Sequence, residues 1–248
     1  MSVTTLGTPR RHFRVVDSTN RVARELAANG APHGMLVTAE VQSAGRGRQG
    51  RSWADSPGGS LLMSLVIRGH SPILSLVAGI AVAESVEAVL TGGQHQAAAV
   101  RVKWPNDVLI DSRKVAGILV EGRPQEGWAV LGIGVNVAVR ADHFPPEVRE
   151  RAATLGLGAE AINPFLQLLL AALERNLRLP DTEILAALSA RDYLSGRKIN
   201  WETPAGRCSA TAAGIDAGGG LLARFPDGTL TVLDAGEVHL EPVAGSQT

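Results

Sequence analysis

Residues 100–139 read VRVKWPNDVLIDSRKVAGILVEGRPQEGWAVLGIGVNVAV, and their alternation decides the fold. Val100, Val102 and Trp104 alternate on a strand that runs into Pro105-Asn106-Asp107 and resumes as Val108-Leu109-Ile110. Asp111-Ser112-Arg113 has turn chemistry, Lys114 to Glu121 returns as an apolar strand, and Trp128 to Val139 supplies a third. Three successive strands with short links predict an antiparallel meander. Gly132, Gly134 and Asn136 fall in the last strand, where close backbone approach is useful. Lys103, Asn106, Asp107, Lys114 and Asn136 are each ordinary on their own. Together on one apolar surface they read as a site, because every buried polar group needs a partner.

Upstream, Thr38 to Trp53 reads TAEVQSAGRGRQGRSW. Met35, Val37, Ala39 and Val41 alternate as a strand that delivers the chain into a loop with Gly45, Gly47 and Gly50. The glycines permit backbone conformations that a Cβ forbids. Arg46, Arg48 and Arg51 add permanent charges that are hard to bury unpaired. Such a loop is suited to closing over a phosphate or carboxylate; a solvated basic loop is the bland alternative. Further upstream, residues through Pro9 read as a loose terminus and His12–Val16 as a short strand. Asp17-Ser18-Thr19-Asn20 are all helix-capping types ahead of a helix to Ala28, stopped by Asn29-Gly30. Ser18 and Thr19 either cap that helix or line a polar pocket beside the arginine loop.

Between these blocks, Ser60–Ile67 is an apolar strand, and Leu74–Leu90 is a largely apolar helix ending at Gly92-Gly93 and packed on a sheet. Downstream, Leu166, Leu169, Leu170, Leu173 and Leu177 mark a core helix that Pro180 ends. Asp181 caps another helix, running to about Leu194. From Lys198 to Val243 short alternating segments separated by glycine turns predict a small β-barrel-like unit. Pro226-Asp227-Gly228 is a strong turn there.

Composition narrows the function. Lys and Arg total 24 and Asp and Glu total 24, so the formal charge is zero. A dedicated nucleic-acid binder would carry a basic excess. Cys208 is the single cysteine and has no intramolecular partner. Neither a secretory signal nor an apolar run of about 20 residues is expected to engage a membrane, which predicts a soluble, cytoplasmic protein.

GRGRQGRSW, KWPNDV and KVAGILVE, in this order, resemble the biotin protein ligase family. The resemblance covers roughly Asp17 to Asn136 by motif and the rest by layout. It implies an α+β fold: a mixed or antiparallel sheet catalytic domain of the biotin/lipoate ligase type over residues 1–194, a small SH3-like β-barrel over 195–243, and a tail at 244–248. It implies activation of biotin by ATP to biotinyl-AMP, then transfer to one lysine of a biotin carboxyl carrier domain of an acyl-CoA carboxylase. Ser18, Thr19 and Gln42 would bind the ureido head, with Asn20 adjacent. Gly45, Arg46, Gly47 and Arg48 would form the loop ordering over biotin, with Gly117 beside the ligand. Lys114 would reach the biotin carboxylate or the phosphate, and Lys103 and Arg51 the phosphates. Trp53 and Asn136 are the adenine candidates, with Asn106, Gly132 and Gly134 also on the adenylate side. Arg48, Lys103, Asp107 and Lys114 would be catalytic. Mg²⁺ would be held by phosphates, since no metal-ligand cluster is visible in the sequence.

Gln49 stands where many members have arginine, which leaves the glycine frame intact. Only about ten residues precede the first strand, too few for a helix-turn-helix domain, so a repressor role by that route is not expected; the neutral charge argues against a nucleic-acid partner, and the lack of a long apolar run against a membrane. The assembly is a monomer or homodimer. Two other readings stay open. One is a lipoate ligase or octanoyl transferase of the same fold; the transferase needs a cysteine nucleophile, and Cys208 lies far from every motif. The other is a non-enzymatic phosphate- or nucleic-acid-binding module.

Overall fold

The computed structural model describes residues 5–53, 58–69, 71–92, 99–204, 206–234 and 236–241. The expected helix end at Gly93, the barrel end at Val243 and the tail at 244–248 lie outside the described residues. Seven strands form the main sheet: β1 (Arg10–Val16), β2 (Leu36–Gln42), β3 (Ser60–Arg68), β4 (Val100–Lys103), β5 (Asp107–Ile110), β6 (Arg113–Arg123) and β7 (Trp128–Asn136). Their order is β1-β2-β3-β7-β6-β5-β4. Among the described strands only β1 and β2 run parallel, joined by α1 (Thr19–Ala28), so the sheet is mixed.

The meander differs from the sequence reading in one respect. Its first member is a hairpin: β4 pairs antiparallel with β5, Val100 opposite Ile110 and Lys103 opposite Asp107. The chain reverses over Trp104–Asn106, where Pro105 offers no N–H to continue a ladder. Lys103 and Asp107 therefore face each other instead of following along one strand.

One face of the sheet packs on α2 (Leu74–Gly92), which in turn meets α4 (Ile162–Asn176), the four-residue α3 (Pro146–Arg149) lying between them in sequence. Leu166, Leu169, Leu170 and Leu173 are all buried there, as their spacing predicts. By length and composition α2 is apolar enough to cross a membrane, but 67% of that window is buried inside the protein, as in a core helix. The opposite face carries α1, whose Ala23 and Ala27 sit on Val37, Val66 and Val130. The segment expected to be loose is partly packed: Leu6 is buried, and the Thr5 N–H donates to Glu174 at 2.8 Å. Helix α5 (Asp181–Ser189) stops short of Leu194, and Asp181 lies in its first turn, accepting from the Ser71 hydroxyl instead of capping.

A second, antiparallel sheet follows, in the order β11-β10-β9-β8-β12. Its strands are β8 (Lys198–Thr203), β9 (Gly206–Ile215), β10 (Leu221–Arg224), β11 (Leu230–Leu233) and β12 (His239–Leu240). It joins the main domain where Trp104 Nε1 donates to the Gly219 carbonyl, 2.9 Å away.

Candidate active site

On the α1 face the sheet is stripped to its backbone. Gly117 on β6 lies opposite Gly134 on β7, and Gly132 lies opposite Ser64 on β3. These bare positions floor a cavity of about 730 Å³, a size suited to a small organic ligand. All but one of the residues singled out in the sequence line it: Ser18, Thr19, Asn20, Gln42, Arg46, Gly47, Arg48, Arg51, Trp53, Lys103, Asn106, Asp107, Lys114, Gly117, Gly132, Gly134 and Asn136. The exception is Gly45, buried at the base of the loop, where a Cβ would lie 2.8 Å from the Trp53 carbonyl.

The polar end is built on α1. Ser18 holds the N-cap position, but its hydroxyl makes no capping bond, so the capping role is not taken up. The Thr19 amide and hydroxyl both donate to Gln42 Oε1, at 2.7 and 3.0 Å. Asn20 donates to Glu121 Oε2 at 2.9 Å, and Ser64 donates to Asn20 Oδ1 at 2.6 Å. A Cβ at Gly132 would overlap Asn20 Oδ1. Gly132, expected beside the adenylate, therefore seats Asn20, and the amide of Asn20 is already committed to protein partners.

The cationic end has a different origin. A β-bulge shifts the β5–β6 register between Val108–Ala116 and Leu109–Lys114, leaving Val115 as the extra residue. An unbroken strand would point Lys114 away from the face that Gly117 occupies; the bulge turns it into the cavity. Segment 151–153 holds it there: the Lys114 N–H donates to Arg151 O (2.7 Å), and its carbonyl accepts from Ala153 N (2.8 Å). Asn136 Nδ2 in turn donates to Ala153 O at 3.0 Å. Lys114 Nζ stands 2.6 Å from Asp107 Oδ1, an ion pair without hydrogen-bond alignment, and 5.4 Å from the centre of the Trp53 ring. Asn106 is tied to Ile118 by reciprocal bonds of 2.9 Å.

The arginine loop closes on itself, with Arg46 bridging to Ser52 and the Gly47 N–H donating to Arg51 O. Of its three glycines only Gly50 takes a positive φ, of +73°; Gln49 joins it at +54°. The loop drops Trp53 onto the glycine floor, where Cβ atoms at Gly117 and Gly134 would lie 2.9 and 2.6 Å from the indole. Among the described residues, the buried indole Nε1 has no hydrogen-bond partner. Outside, Arg51 pairs with Glu237 at 2.6 Å and Arg48 donates to the Gly236 carbonyl at 3.2 Å. Burial pulls the Arg48 guanidinium below its ordinary pKa, against the opposing pull of Asp107; it remains a cation.

Ser64, Glu121 and Glu237 escaped the sequence reading. Ser64 carried a signal, the one hydroxyl inside the apolar run LLMSLVI. Glu237 carried none, because a turn far along the chain brings it to the loop.

These features define an α+β ligase fold with an appended antiparallel sheet. The chain belongs to the Biotin/lipoate A/B protein ligase family, whose family model matches residues 12–137. It is 36% identical to the biotin–[acetyl-CoA-carboxylase] ligase of Paracoccus denitrificans, over 90% of this chain and 96% of that protein. It is 41% identical to the bifunctional ligase/repressor BirA of Bacillus spizizenii over 57% of this chain, a match that spans only 44% of that relative's length. Among solved structures, the biotin protein ligase of Aquifex aeolicus in complex with biotin and ATP superposes with a TM-score of 0.77 at 26% identity. That alignment covers 94% of this chain and 99% of the other.

Proposed function

We propose that this protein joins biotin to ATP, forming biotinyl-AMP and pyrophosphate, and then passes the biotinyl group to a lysine of a biotin carboxyl carrier domain, releasing AMP. One observation carries the reading: hydrogen-bonding residues suited to a ureido head and cations suited to phosphates line opposite ends of one cavity of ligand size. The names of the family relatives support it. The catalytic unit would extend to about residue 194, with the second sheet as a separate small domain over 195–243. The protein would work in the cytoplasm, as monomer or homodimer.

A carboxylate attacking the α-phosphate brings two anions together, so cations must be in place first. Lys114, Arg48, Arg51 and Lys103 would offset that repulsion, Lys114 exchanging its partner Asp107 for ligand oxygens. Asp107, released from Lys114, would then orient the acceptor amine or take its proton. Trp53 would stack on adenine, its unpartnered Nε1 meeting an acceptor, and the loop would keep water from the mixed anhydride. Among the described residues no group of three or more His, Cys, Asp or Glu could hold a metal. Mg²⁺ fits this cavity as a companion of ATP, held on phosphates with at most the carboxylates of Asp107 and Glu237 nearby. It would neutralise phosphate charge.

Transfer of labelled biotin to a carrier domain with ATP and Mg²⁺, against lipoate, octanoate and an ATP-free control, tests the reading. ATP-dependent labelling of one lysine by biotin alone is expected. Labelling by lipoate instead would overturn the substrate, and no transfer at all would overturn the reaction.

A further inference from the structure

Behind the α1 end of the cavity, a chain of hydrogen bonds has fewer protons than its contacts require. Asn20 Nδ2 lies 2.9 Å from Glu121 Oε2, itself paired with Arg24, and 3.4 Å from the Leu119 carbonyl. Both partners only accept, so the amide can face them only with its nitrogen, and Oδ1 must face Ser64. Oδ1 has no proton, so the Ser64 proton is spent across their 2.6 Å contact. The Ser64 oxygen also lies 2.8 Å from Thr19 Oγ1, which asks for the Thr19 proton. Gln42 Oε1, 3.0 Å from the same Thr19 oxygen, asks for it too, and the Thr19 amide N–H at 2.7 Å fixes Gln42 as an acceptor there. Ser64 and Thr19 thus bring one proton each to three contacts.

We propose that Ser64, which is fully buried and does not reach the cavity, is a positioning residue that makes this end selective for ligands bringing an N–H. By taking Asn20 Oδ1 for itself, it leaves the Thr19 proton contested and the Thr19–Gln42 edge of the cavity rich in lone pairs. A cyclic urea supplies the missing donor. An acid whose far end is a dithiolane or a plain alkyl chain supplies none and leaves those lone pairs facing each other, which is where discrimination against such acids arises. Gly132 is part of the device, since a side chain there would push Asn20 out of the chain of bonds. The proposal rests on the biotin-ligase reading and adds to it the residue that sets the ureido end.

The test is acid-dependent ATP–pyrophosphate exchange by the wild type, Ser64→Ala and Ser64→Cys, with biotin, desthiobiotin and lipoate, alongside melting curves. Ser64→Ala is expected to raise KM for biotin and desthiobiotin about tenfold, since both carry the urea, while KM for ATP and kcat stay within about twofold. Ser64→Cys, a weak donor of similar size, is expected to fall between. An unchanged biotin KM in a folded Ser64→Ala protein overturns the proposal and leaves the ligase reading standing. So do both KM values, kcat and Tm all moving together, which is a packing defect only. If Ser64→Ala does not fold, an unchanged biotin KM in Ser64→Cys is decisive in the same way. A wild type that uses lipoate and not biotin overturns both.

Discussion

At one end of the cavity, Thr19 and Asn20 are tied through Gln42, Ser64 and Glu121 to three different strands, and every side chain in that group except Gln42's is either buried or ion-paired. At the other, Arg46–Trp53 has no interior of its own and is held by Arg51–Glu237, by Arg48 on a carbonyl and by one indole on bare backbone. The first end meets its ligand with its geometry already set. On the proposed function, the second would exchange protein partners for ligand ones. A neutral head group, recognised by direction, would on that reading meet the rigid end. Phosphates, recognised by charge, would meet the end held by fewer contacts.

Lys114→Ala should have the largest effect, because it takes the bulge-directed cation from the cationic end. Biotin-dependent pyrophosphate exchange should fall roughly 100- to 1000-fold while the melting curve is retained, the Asp107 pair being partly exposed. Near wild-type pyrophosphate release would remove Lys114 from the chemistry. Gly132→Ala attacks the rigid end alone. It should raise KM for biotin by about 10- to 100-fold and lower urea stability by roughly 1–3 kcal/mol, with KM for ATP little changed. An equal change in both KM values would mean that the ends are not independent.

Glu237→Ala attacks the mobile end. Stability should change by less than about 1 kcal/mol, as for other exposed pairs. Tryptic cleavage at Arg46–Arg51 should quicken several-fold in the free protein and slow when biotin and ATP are added. Equal cleavage in every state would erase the contrast. Asp192→Asn lies outside both ends and serves as the control. Burial raises the Asp192 carboxyl above its ordinary pKa, and its Oδ2 has no partner among the described residues. The native state therefore holds the proton more tightly than the unfolded chain, so the charged form costs stability above the native pKa and nothing below the unfolded one. Asparagine should raise Tm by roughly a degree or two at pH 7, with the gain vanishing below about pH 4 and exchange kinetics unchanged.

Most of the sheet was legible because alternation reports a strand with one covered face, and β6 and β7 show it plainly. The Trp104–Asn106 reversal was not, since alternation is blind to direction and continues through a hairpin. The cavity residues were legible as types, from polar groups set among apolar strands and from their resemblance to a family pattern. Their division of labour was not. Nothing local distinguishes Asn20, bound to Glu121 about a hundred residues away, from a residue free to meet a ligand. Gly132 and Gly134, two residues apart on one strand, seat different side chains that only the fold brings to them.

The bulge at Val115 makes the lysine's address a matter of counting. Substituting Val115 by another apolar residue should leave Lys114 where it is, and deleting it would leave Lys114 two residues from Gly117, still on the cavity face; what would turn an intact lysine out is a register slip that pairs Leu109 with Val115 and removes the bulge without removing a residue. Selection at this point acts on register: what must be kept is the pairing of Leu109 with Lys114, whichever residue is the extra one.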